Sequence, residues 1–366
     1  MPALWAGLVA GRSACAPIRR FAADDLTPRI AAEVDEDGPD PDRAGGFALR
    51  AASEACADAE LELERLDPRR VGVALGTTLG GMELFERWVA ARTTAPDVAR
   101  IPYFAPAVRV ARAIGCRGPV ATPQLACASG THAVALAVEW VRAGRADVVL
   151  AGGTDLLCRF VVAGFNCLKA TADVARPFDA DRRGLVLGEG AAVAVVEAAE
   201  HARQRGARVR ARLLGTGAAG DATHMTAPDR AGAGAARAME AALADAGVAP
   251  EAVGFVSAHG TGTPYNDAME AVAIGRVFGN RRVAVDSIKG AIGHTLGAAG
   301  AFEAILCAQV VSEGVIPPTA GLSRLDPECA ALDLVTGAAR RQAVDVAVST
   351  SSGFAGTNAA LVVGRA

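Results

Sequence analysis

The chain has 366 residues, of which 51% are hydrophobic, and a formal net charge of −3. This length is sufficient for two core-bearing units or for one large duplicated domain. Lysine and arginine are scattered along the chain rather than grouped. Nothing in it provides the basic surface that nucleic acids require, so we expect no nucleic-acid partner.

The cysteines and the apolar runs predict a cytoplasmic protein. Eight cysteines occur without a CxxC pair or the Cys/His spacing of a metal site, so we expect neither disulfides nor bound metal. The apolar run at 3–10 lacks the basic residues that begin a secretion signal. No apolar run reaches the roughly 18 residues that a membrane span requires, so no membrane span is expected.

Short apolar runs alternate with longer alanine-rich runs along the chain. This alternation predicts an α/β fold. We expect strands at 71–75, 120–125, 148–152, 191–197, 254–258, 283–287, 344–349 and 360–364. The polar stretch 35–46, which contains a Gly-Pro-Asp-Pro sequence, is predicted to be an exposed loop.

Cys127 lies between the strand predicted at 120–125 and an apolar helix predicted at 133–141, within the sequence Ala-Cys-Ala-Ser-Gly-Thr. The start of a helix has unpaired N–H groups and a partial positive charge, which favour a thiolate and stabilise an oxyanion beside it. Small neighbours leave room for a substrate. These features predict a nucleophile, although a cysteine in an alanine-rich chain is more often a small core residue.

The chain shows a weak internal repeat. In each half a strand leads to a helix that begins with small residues, and then to a second strand that ends in glycine. We therefore divide the chain into an N-terminal half, 1–205, and a C-terminal half, 206–366. Cys127 and His294 occupy corresponding helix starts. Two such halves packed face to face would bring both residues to one central cleft, with His259 arriving from a third strand end.

Three polar residues, His259, Lys289 and His294, follow apolar strands and have glycine neighbours. Polar side chains in such places are costly unless they are paired or functional. Taken singly, each histidine is as readily a core or turn residue. Together with Cys127, the three residues predict a catalytic cluster.

Several motifs follow one another along nearly the whole chain. The principal ones are Cys127-Ala128-Ser129-Gly130, Ala258-His259-Gly260-Thr261-Gly262-Thr263, Lys289 with Gly293-His294, and Gly353-Phe354-Ala355-Gly356-Thr357-Asn358. The stretches 176–179, 184–190, 221–228 and 297–303 support them. In this order the motifs resemble those of the elongating β-ketoacyl-acyl-carrier-protein synthases of the thiolase superfamily.

The resemblance implies a thiolase-like fold, in which two pseudo-symmetric halves form a layered α-β-α-β-α arrangement. Members normally begin with an apolar strand, whereas this sequence starts at what resembles the helix after it. We therefore expect the first core strand to be missing from the sheet. The segment 101–118 is shorter than in typical members, and Ala355 stands where glycine is usual. For these reasons the chain-length preference of the family does not carry over.

The resemblance also implies an acyltransferase of the Cys-His-His type. Cys127 would accept an acyl group from a carrier thioester, while the N–H groups of Cys127 and Phe354 hold the oxyanion. His259 and His294 would hold the carbonyl of malonyl-acyl carrier protein while CO2 leaves. The resulting enolate would attack the acyl-Cys127 thioester. The product would be a 3-oxoacyl-acyl carrier protein, in fatty-acid or polyketide-type synthesis.

Other residues match supporting positions of the family. Lys289 would order the site electrostatically, with Glu303 as its carboxylate partner. Thr261 and Thr263 would hydrogen-bond the phosphopantetheine arm, and Phe354 would gate the acyl pocket. No cofactor would be bound, because the acyl carrier protein brings the arm. That carrier is the expected partner, along with a second subunit in a homodimer or in a heterodimer with a chain-length partner.

Other functions share parts of this pattern. A degradative thiolase needs a second cysteine near the C-terminus, but the last cysteine here is Cys329. An initiating synthase carries asparagine in place of His294, and a Cys-His hydrolase would not need two histidines and a lysine. A non-elongating or chain-length-setting subunit usually lacks the cysteine. Retention of Cys127 disfavours that role, which stays open as the alternative.

Overall fold

The protein is an α/β structure, described by a computed structural model for residues 1–35, 41–91, 98–279 and 281–366. In this part of the chain the helices are α1 (Pro2–Val9), α2 (Arg43–Asp58), α3 (Met82–Ala91), α4 (Ala105–Ala113), α5 (Ser129–Arg142), α6 (Arg159–Cys167), α7 (Ala199–Gln204), α8 (Ala233–Ala246), α9 (Pro264–Phe278), α10 (Lys289–Ile292) and α11 (Ala299–Glu313). The strands are β1 (Cys15–Pro17), β2 (Ile30–Ala32), β3 (Val71–Gly76), β4 (Val120–Ala121), β5 (Val148–Asp155), β6 (Leu187–Gly188), β7 (Gly190–Glu197), β8 (Ala211–Gly220), β9 (Phe255–Ser257), β10 (Ala284–Asp286), β11 (Val315–Ile316), β12 (Asp333–Leu334), β13 (Arg340–Arg341), β14 (Val346–Gly353) and β15 (Thr357–Arg365).

Two large sheets repeat one topology. The first has the strand order β4-β3-β5-β7, and the second has the order β12-β10-β9-β14-β15-β8. In the first sheet β3 is parallel to β4 and β5, and β7 is antiparallel to β5. In the second sheet β9 is likewise parallel to β10 and β14, and β15 is antiparallel to β14. The predicted α/β fold with two pseudo-symmetric halves is therefore confirmed.

The sheets and helices form alternating layers. Successive side chains of a strand point to opposite faces, and both faces are buried here. On β9, Phe255 faces α11 while Val256 faces α8 and α9. On β3, Ala74 faces α5 while Val73 faces α2 and α4. Helices α5 and α11 thus lie between the two sheets, which confirms the α-β-α-β-α arrangement.

The two sheets differ at one edge. Strand β8 pairs antiparallel with β15 at the edge of the second sheet. Among the described residues, no strand pairs with the outer edge of β7, which is the corresponding position of the first sheet. The first core strand that the resemblance implies therefore belongs at a sheet edge and not at its centre.

Strand β8 was not predicted from the sequence. It is rich in glycine and alanine, which are depleted in strands generally. The structure shows why small residues are needed there. A Cβ atom added at Gly215 would lie 2.3 Å from the Ala242 carbonyl oxygen of α8, and one added at Gly217 would lie 2.1 Å from that of Ala238. Close packing of helix on strand therefore outweighs strand propensity.

The prediction of an exposed loop at 35–46 is wrong for its last residues, while 36–40 lie outside the described residues. Helix α2 begins at Arg43, and Asp42 caps it by accepting a hydrogen bond from a first-turn N–H group at 3.0 Å. Both residues are buried, and each forms an ion pair with a residue distant in sequence. The charged residues therefore mark a buried helix start.

Among the described residues, one helical segment is long and apolar enough to span a membrane by composition. It runs from Leu296 to Glu313, and 67% of it is buried, because α11 lies in the central layer. Buried core helices share this composition, so the segment is weak support for a membrane span.

Glycines allow the two central helices to start close together. A Cβ atom added at Gly130 in α5 would lie 2.7 Å from the Gly297 carbonyl oxygen, and one added at Gly300 in α11 would lie 1.8 Å from Thr131 Oγ1. Protein interiors are too densely packed to absorb such overlaps without movement. The small-residue helix starts are therefore what permits the two halves to meet.

We predict that Gly130→Ala lowers the free energy of unfolding by about 1–3 kcal/mol, because overpacking forces the two helices apart. Gly275→Ala in α9 is the matched control, since no described atom lies within 4 Å of its added Cβ. The control should raise stability by about 0.5–1 kcal/mol through helix propensity. Denaturant unfolding measures both variants, and equal stability of the two would contradict the packing argument.

Candidate active site

Cys127 lies at the turn between β4 and α5. Ala126 before it has φ +49°, which is uncommon for a residue with a side chain. Ser129 Oγ accepts a hydrogen bond from the Leu125 N–H at 2.9 Å and donates one to the Ala126 carbonyl at 2.5 Å. A Cβ atom added at Gly353 would lie 3.1 Å from the Cys127 nitrogen. The turn is therefore held from within, and the end of β14 approaches it closely.

Burial controls the ionisation of Cys127. The residue is only 7% exposed, and burial raises the pKa of its thiol to about 12. The positive charge of Lys289 lowers this pKa, while Asp155 and Glu303 raise it further. Burial thus favours the thiol in the resting protein and opposes the effect expected from the helix start.

His259 follows β9 in a loop that two carboxylates of α9 hold in place. The N–H groups of His259 and of the next residue donate to Glu270 at 2.6 and 2.7 Å. The N–H group of Thr261 donates to Asp267 at 3.0 Å. Both acids are buried, and burial raises the pKa of each, that of Glu270 to about 7. Neither was predicted as part of the site.

Lys289, at the start of α10, connects α11 with the loop that holds His259. It is buried, and its ammonium group pairs with Glu303 of α11 and donates to the His259 carbonyl. Its Nζ atom also lies 3.3 Å from His259 Nδ1. Burial raises the pKa of Glu303, while Lys289 lowers it. The carboxylate that the resemblance implies for Lys289 is therefore in direct contact with it.

The two catalytic histidine candidates have the same tautomer. His294 Nδ1 accepts a hydrogen bond from the Leu296 N–H at 3.2 Å, which assigns the proton of the neutral ring to Nε2. His259 Nδ1 faces the ammonium of Lys289, a pure donor, so the same assignment holds. The ring centroids lie 5.3 Å apart with their planes at 85°. The pair therefore offers two neighbouring Nε2–H donors.

Both imidazoles are held neutral by their surroundings. Burial lowers the pKa of His259 and His294 well below the ordinary value, and the charge of Lys289 lowers each further. Protonation would place a hydrogen on Nδ1, where each ring now accepts from a donor. A neutral ring is thus required by its hydrogen bonds as well as by its burial.

A chain of polar contacts connects α5 to His259. Thr131 of α5 and Ser351 of β14 share a hydrogen bond of 2.7 Å. Ser351 donates to Glu303 at 3.2 Å, and Glu303 pairs with Lys289, which contacts His259. The start of α5, the imidazoles and the ammonium therefore lie close together where the two halves meet.

Asp155 supports this junction and was also not predicted. It lies at the end of β5 and is fully buried. It accepts hydrogen bonds from Thr77 Oγ1 at 2.7 Å, from the Thr78 N–H at 2.9 Å and from the Gly297 N–H at 2.6 Å. Because Gly297 belongs to the second half, this carboxylate ties the two halves together beside the site.

The predicted gate and arm-binding residues lie on loops at this site. The ring of Phe354 stacks on Phe165, with centroids 5.8 Å apart and planes at 23°. Ala355 has φ +64°, a conformation that favours glycine, so alanine restricts the loop. Thr261 and Thr263 share a hydrogen bond of 2.9 Å between their hydroxyl groups. These hydroxyls present paired donors and acceptors on one loop.

The polar groups of the site suit anionic oxygen better than metal. Among the described residues, no group of three or more His, Cys, Asp or Glu side chains is arranged to hold a metal ion. The site instead offers two imidazole N–H groups in buried surroundings, next to the ammonium of Lys289. Such donors stabilise charge that develops on a carbonyl oxygen.

Comparisons with known proteins agree along the chain. Residues 1–202 match the family model of the β-ketoacyl synthase N-terminal domain, and residues 210–323 match that of the C-terminal domain. The chain is 38% identical to 3-oxoacyl-(acyl-carrier-protein) synthase 2 of Coxiella burnetii, and the alignment covers 99% of this chain and 94% of the relative.

Two solved structures are similar over nearly their full length. The ishigamide ketosynthase/chain length factor has a TM-score of 0.94 at 39% identity. The match covers 100% of this chain and 95% of the solved chain. The second structure is a type II polyketide synthase acyl-carrier protein in complex with its ketosynthase bound to the hexaketide. It has a TM-score of 0.90 at 29% identity, and the match covers 99% of this chain and 94% of the solved chain. Motifs, fold and comparisons thus agree that the chain belongs to the β-ketoacyl synthase family.

Proposed function

We propose that the protein catalyses the decarboxylative Claisen condensation of an acyl thioester with malonyl-acyl carrier protein. The observation that carries this proposal is the pair of buried imidazoles, His259 and His294, whose ring centroids lie 5.3 Å apart and whose Nδ1 atoms each face a donor, so that both Nε2–H groups can donate. Two neutral donors suit a thioester carbonyl that becomes an enolate. A single general base, as in a hydrolase, does not require the second imidazole.

In the first half-reaction, Cys127 attacks the carbonyl of the acyl thioester. The sulfur of Cys127 forms the new bond to the acyl carbon, and the proton of its thiol goes to the departing pantetheine sulfur. The N–H groups of Cys127 and Phe354 are proposed to hold the transient oxyanion. Lys289, which lowers the pKa of the thiol, favours the thiolate as the bond forms.

In the second half-reaction, malonyl-acyl carrier protein loses CO2. The electron pair of the broken carbon–carbon bond forms an enolate, and His259 and His294 donate Nε2–H bonds to its oxygen. The enolate carbon then attacks the acyl-Cys127 thioester, and the cysteine sulfur leaves with the electron pair. The product is a 3-oxoacyl-acyl carrier protein, and Cys127 regains its proton from solvent.

Lys289 and Glu303 are proposed as positioning residues. Their ion pair holds an ammonium group against His259 Nδ1, which keeps the proton of that ring on Nε2. Thr261 and Thr263 are proposed to bind the phosphopantetheine arm. Phe354, stacked on Phe165, is proposed to gate the acyl pocket.

The partner and location follow from the family and remain proposals for this chain. One similar structure contains an acyl-carrier protein with its ketosynthase, so we propose an acyl carrier protein as the partner that brings the phosphopantetheine arm. We further propose a cytoplasmic protein built of the halves 1–205 and 206–366, acting as a homodimer or as one subunit of a heterodimer.

A chain-length-setting or non-elongating subunit is the second candidate. One of the similar structures is a ketosynthase/chain length factor, which supports this second candidate. Such a subunit needs no nucleophile, whereas this chain retains Cys127 with Lys289 and both imidazoles at one site. The catalytic role is therefore preferred, and the loading experiment below separates the two.

Cys127→Gln should abolish acyl loading, because the nucleophile is gone, while decarboxylation of malonyl-carrier persists or rises. Intact-mass analysis after incubation with acyl-carriers of several lengths detects the acyl adduct, and CO2 release reports decarboxylation. Cys167→Ser is the matched control, since Cys167 is an exposed cysteine, and it should load normally. A folded wild-type protein that gains no acyl mass on Cys127 would rule out the enzyme and leave the chain-length role.

His259→Ala and His294→Ala should each lower malonyl decarboxylation by about 10²-fold or more, because each removes one donor to the enolate oxygen. His201→Ala is the control, since His201 of α7 pairs with Glu197 of β7, at the end of β7 opposite to the end that pairs with Asp155. Normal CO2 release from both active-site variants would contradict the proposed roles of these histidines.

We also expect His259 and His294 to remain neutral as the pH falls through 6.5, the ordinary value for histidine. A lowered pKa means that protonation occurs only at more acidic pH. ¹⁵N NMR of histidine-labelled protein should show two rings, absent from the respective alanine variants, that keep the Nε2–H tautomer between pH 5.5 and 8. Titration of both rings near pH 6.5 would show that burial does not set their state.

A further inference from the structure

Three polar side chains lie at one level on three adjacent strands of the second sheet. Asp286 of β10 is in register with Ser257 of β9, and Ser257 is in register with Ser349 of β14. Residues two apart on a strand share a face, so these side chains lie on the same face as Phe255, which packs against α11. All three are fully buried. They therefore form a polar row in the centre of the protein.

This polar row, Asp286, Ser257 and Ser349, lies directly beneath the active site. His259 is two residues beyond Ser257 along the chain, and Ser351 is two residues beyond Ser349, a distance of about 6.6 Å in an extended chain. On the α11 side, Cys307 faces the row, since burial and then the charge of Asp286 raise the pKa of its thiol. The polar row is thus a second layer under the layer that holds His259.

Asp286 differs from the other buried acids of the site. Within the described residues, neither of its carboxyl oxygens has a partner that meets hydrogen-bond geometry, and the same is true of Ser257 Oγ and Ser349 Oγ. By contrast, Asp155 and Glu270 each accept from backbone N–H groups and hydroxyls. A buried carboxylate without such donors is far less favourable than the neutral acid.

The charge of Lys289 acts on the pKa of both Asp286 and Glu303. Lys289 contacts Glu303 directly, and Ser351 donates a further hydrogen bond to Glu303. Burial, and next the charge of Glu303, raise the pKa of Asp286 well above its ordinary value, although Ser257 and Lys289 act to lower it. When two acids share one cation, their surroundings separate their protonation states. Glu303 is the one placed to carry the negative charge.

We propose that Asp286 is a positioning residue that keeps its proton during the reaction, so that Lys289 is paired with Glu303 alone and stays directed at His259. The neutral acid can donate its O–H to Ser257, its neighbour in the same row. An ionised Asp286 would compete for the ammonium of Lys289. It would also add negative charge beneath a site where, on the proposed function, a thiolate and an enolate form.

Infrared difference spectroscopy tests the protonation directly. The carbonyl band of a protonated carboxyl group should be present in the wild-type protein at neutral pH and missing in Asp286→Asn. Its absence from the wild-type protein would overturn the proposal. In Glu303→Gln, Asp286 is left as the acid nearest Lys289, so the pH midpoint of the band should fall by at least about one unit. An unchanged midpoint would show that the two acids do not share Lys289.

A stability measurement keeps the proposal testable if Glu303→Gln does not fold. A group whose pKa is raised in the folded state loses its stabilising contribution as the pH rises. The Tm of Asp286→Asn relative to wild type should therefore increase by about 2 °C or more between pH 5.5 and 8. A relative Tm that does not change with pH would overturn the proposal.

Asp333→Asn is the matched control for this measurement. Asp333 pairs with Arg340, which lowers its pKa, so its replacement should lower Tm and produce no gain at high pH. None of these measurements requires turnover. Their failure would therefore leave the condensing reaction untouched, and a failure of acyl loading at Cys127 would leave the protonation of Asp286 unaffected.

Discussion

The buried ammonium of Lys289 determines the state of the groups around it. It contacts Glu303 and the carbonyl of His259, and it lies 3.3 Å from the Nδ1 atom of that ring. Its charge lowers the pKa of His259, of His294 and of the Cys127 thiol. A buried ammonium without a counter-ion is strongly unfavourable, which explains why Glu303 comes with it. The ion pair has no net charge, yet its ammonium group lies against His259.

Burial has two opposite effects on the proposed chemistry. It raises the pKa of Cys127 to about 12, which disfavours the thiolate in the resting protein. It also lowers the pKa of both histidines, which keeps their Nε2–H donors neutral, and a low dielectric strengthens each hydrogen bond to developing charge. On the proposed mechanism, the thiolate and the enolate therefore form only beside hydrogen-bond donors or charges that are already in place. As a consequence, the proposed reaction of the Cys127 thiol depends on the charge of Lys289 and on the carbonyl group of a bound substrate.

The sequence singled out the residues proposed to react, but not the residues that hold them in place. The sequence shows glycines near the strand ends that precede Cys127, His259, Lys289 and His294. This pattern has a physical explanation and also matches the motifs of a known family. Asp155 gives no such signal, because its donors come from two distant segments that meet only in the folded protein. Strand β8 was not predicted because its glycines allow helix α8 to pack closely against it. Strand propensity, which depends on local sequence, does not include this tertiary contact.

Duplication explains why such a site needs both halves. Helices α5 and α11 meet through glycines at their starts, and the charge of Lys289 in the second half acts on Cys127 in the first. The halves then differ in how they neutralise buried charge. In the first half, Asp155 is satisfied by N–H and hydroxyl donors and needs no cation. In the second half, Glu303 takes an ammonium, and that cation in turn orients His259. This difference between the halves agrees with the proposed function, in which the first half provides the nucleophile and the second half provides the hydrogen-bond donors.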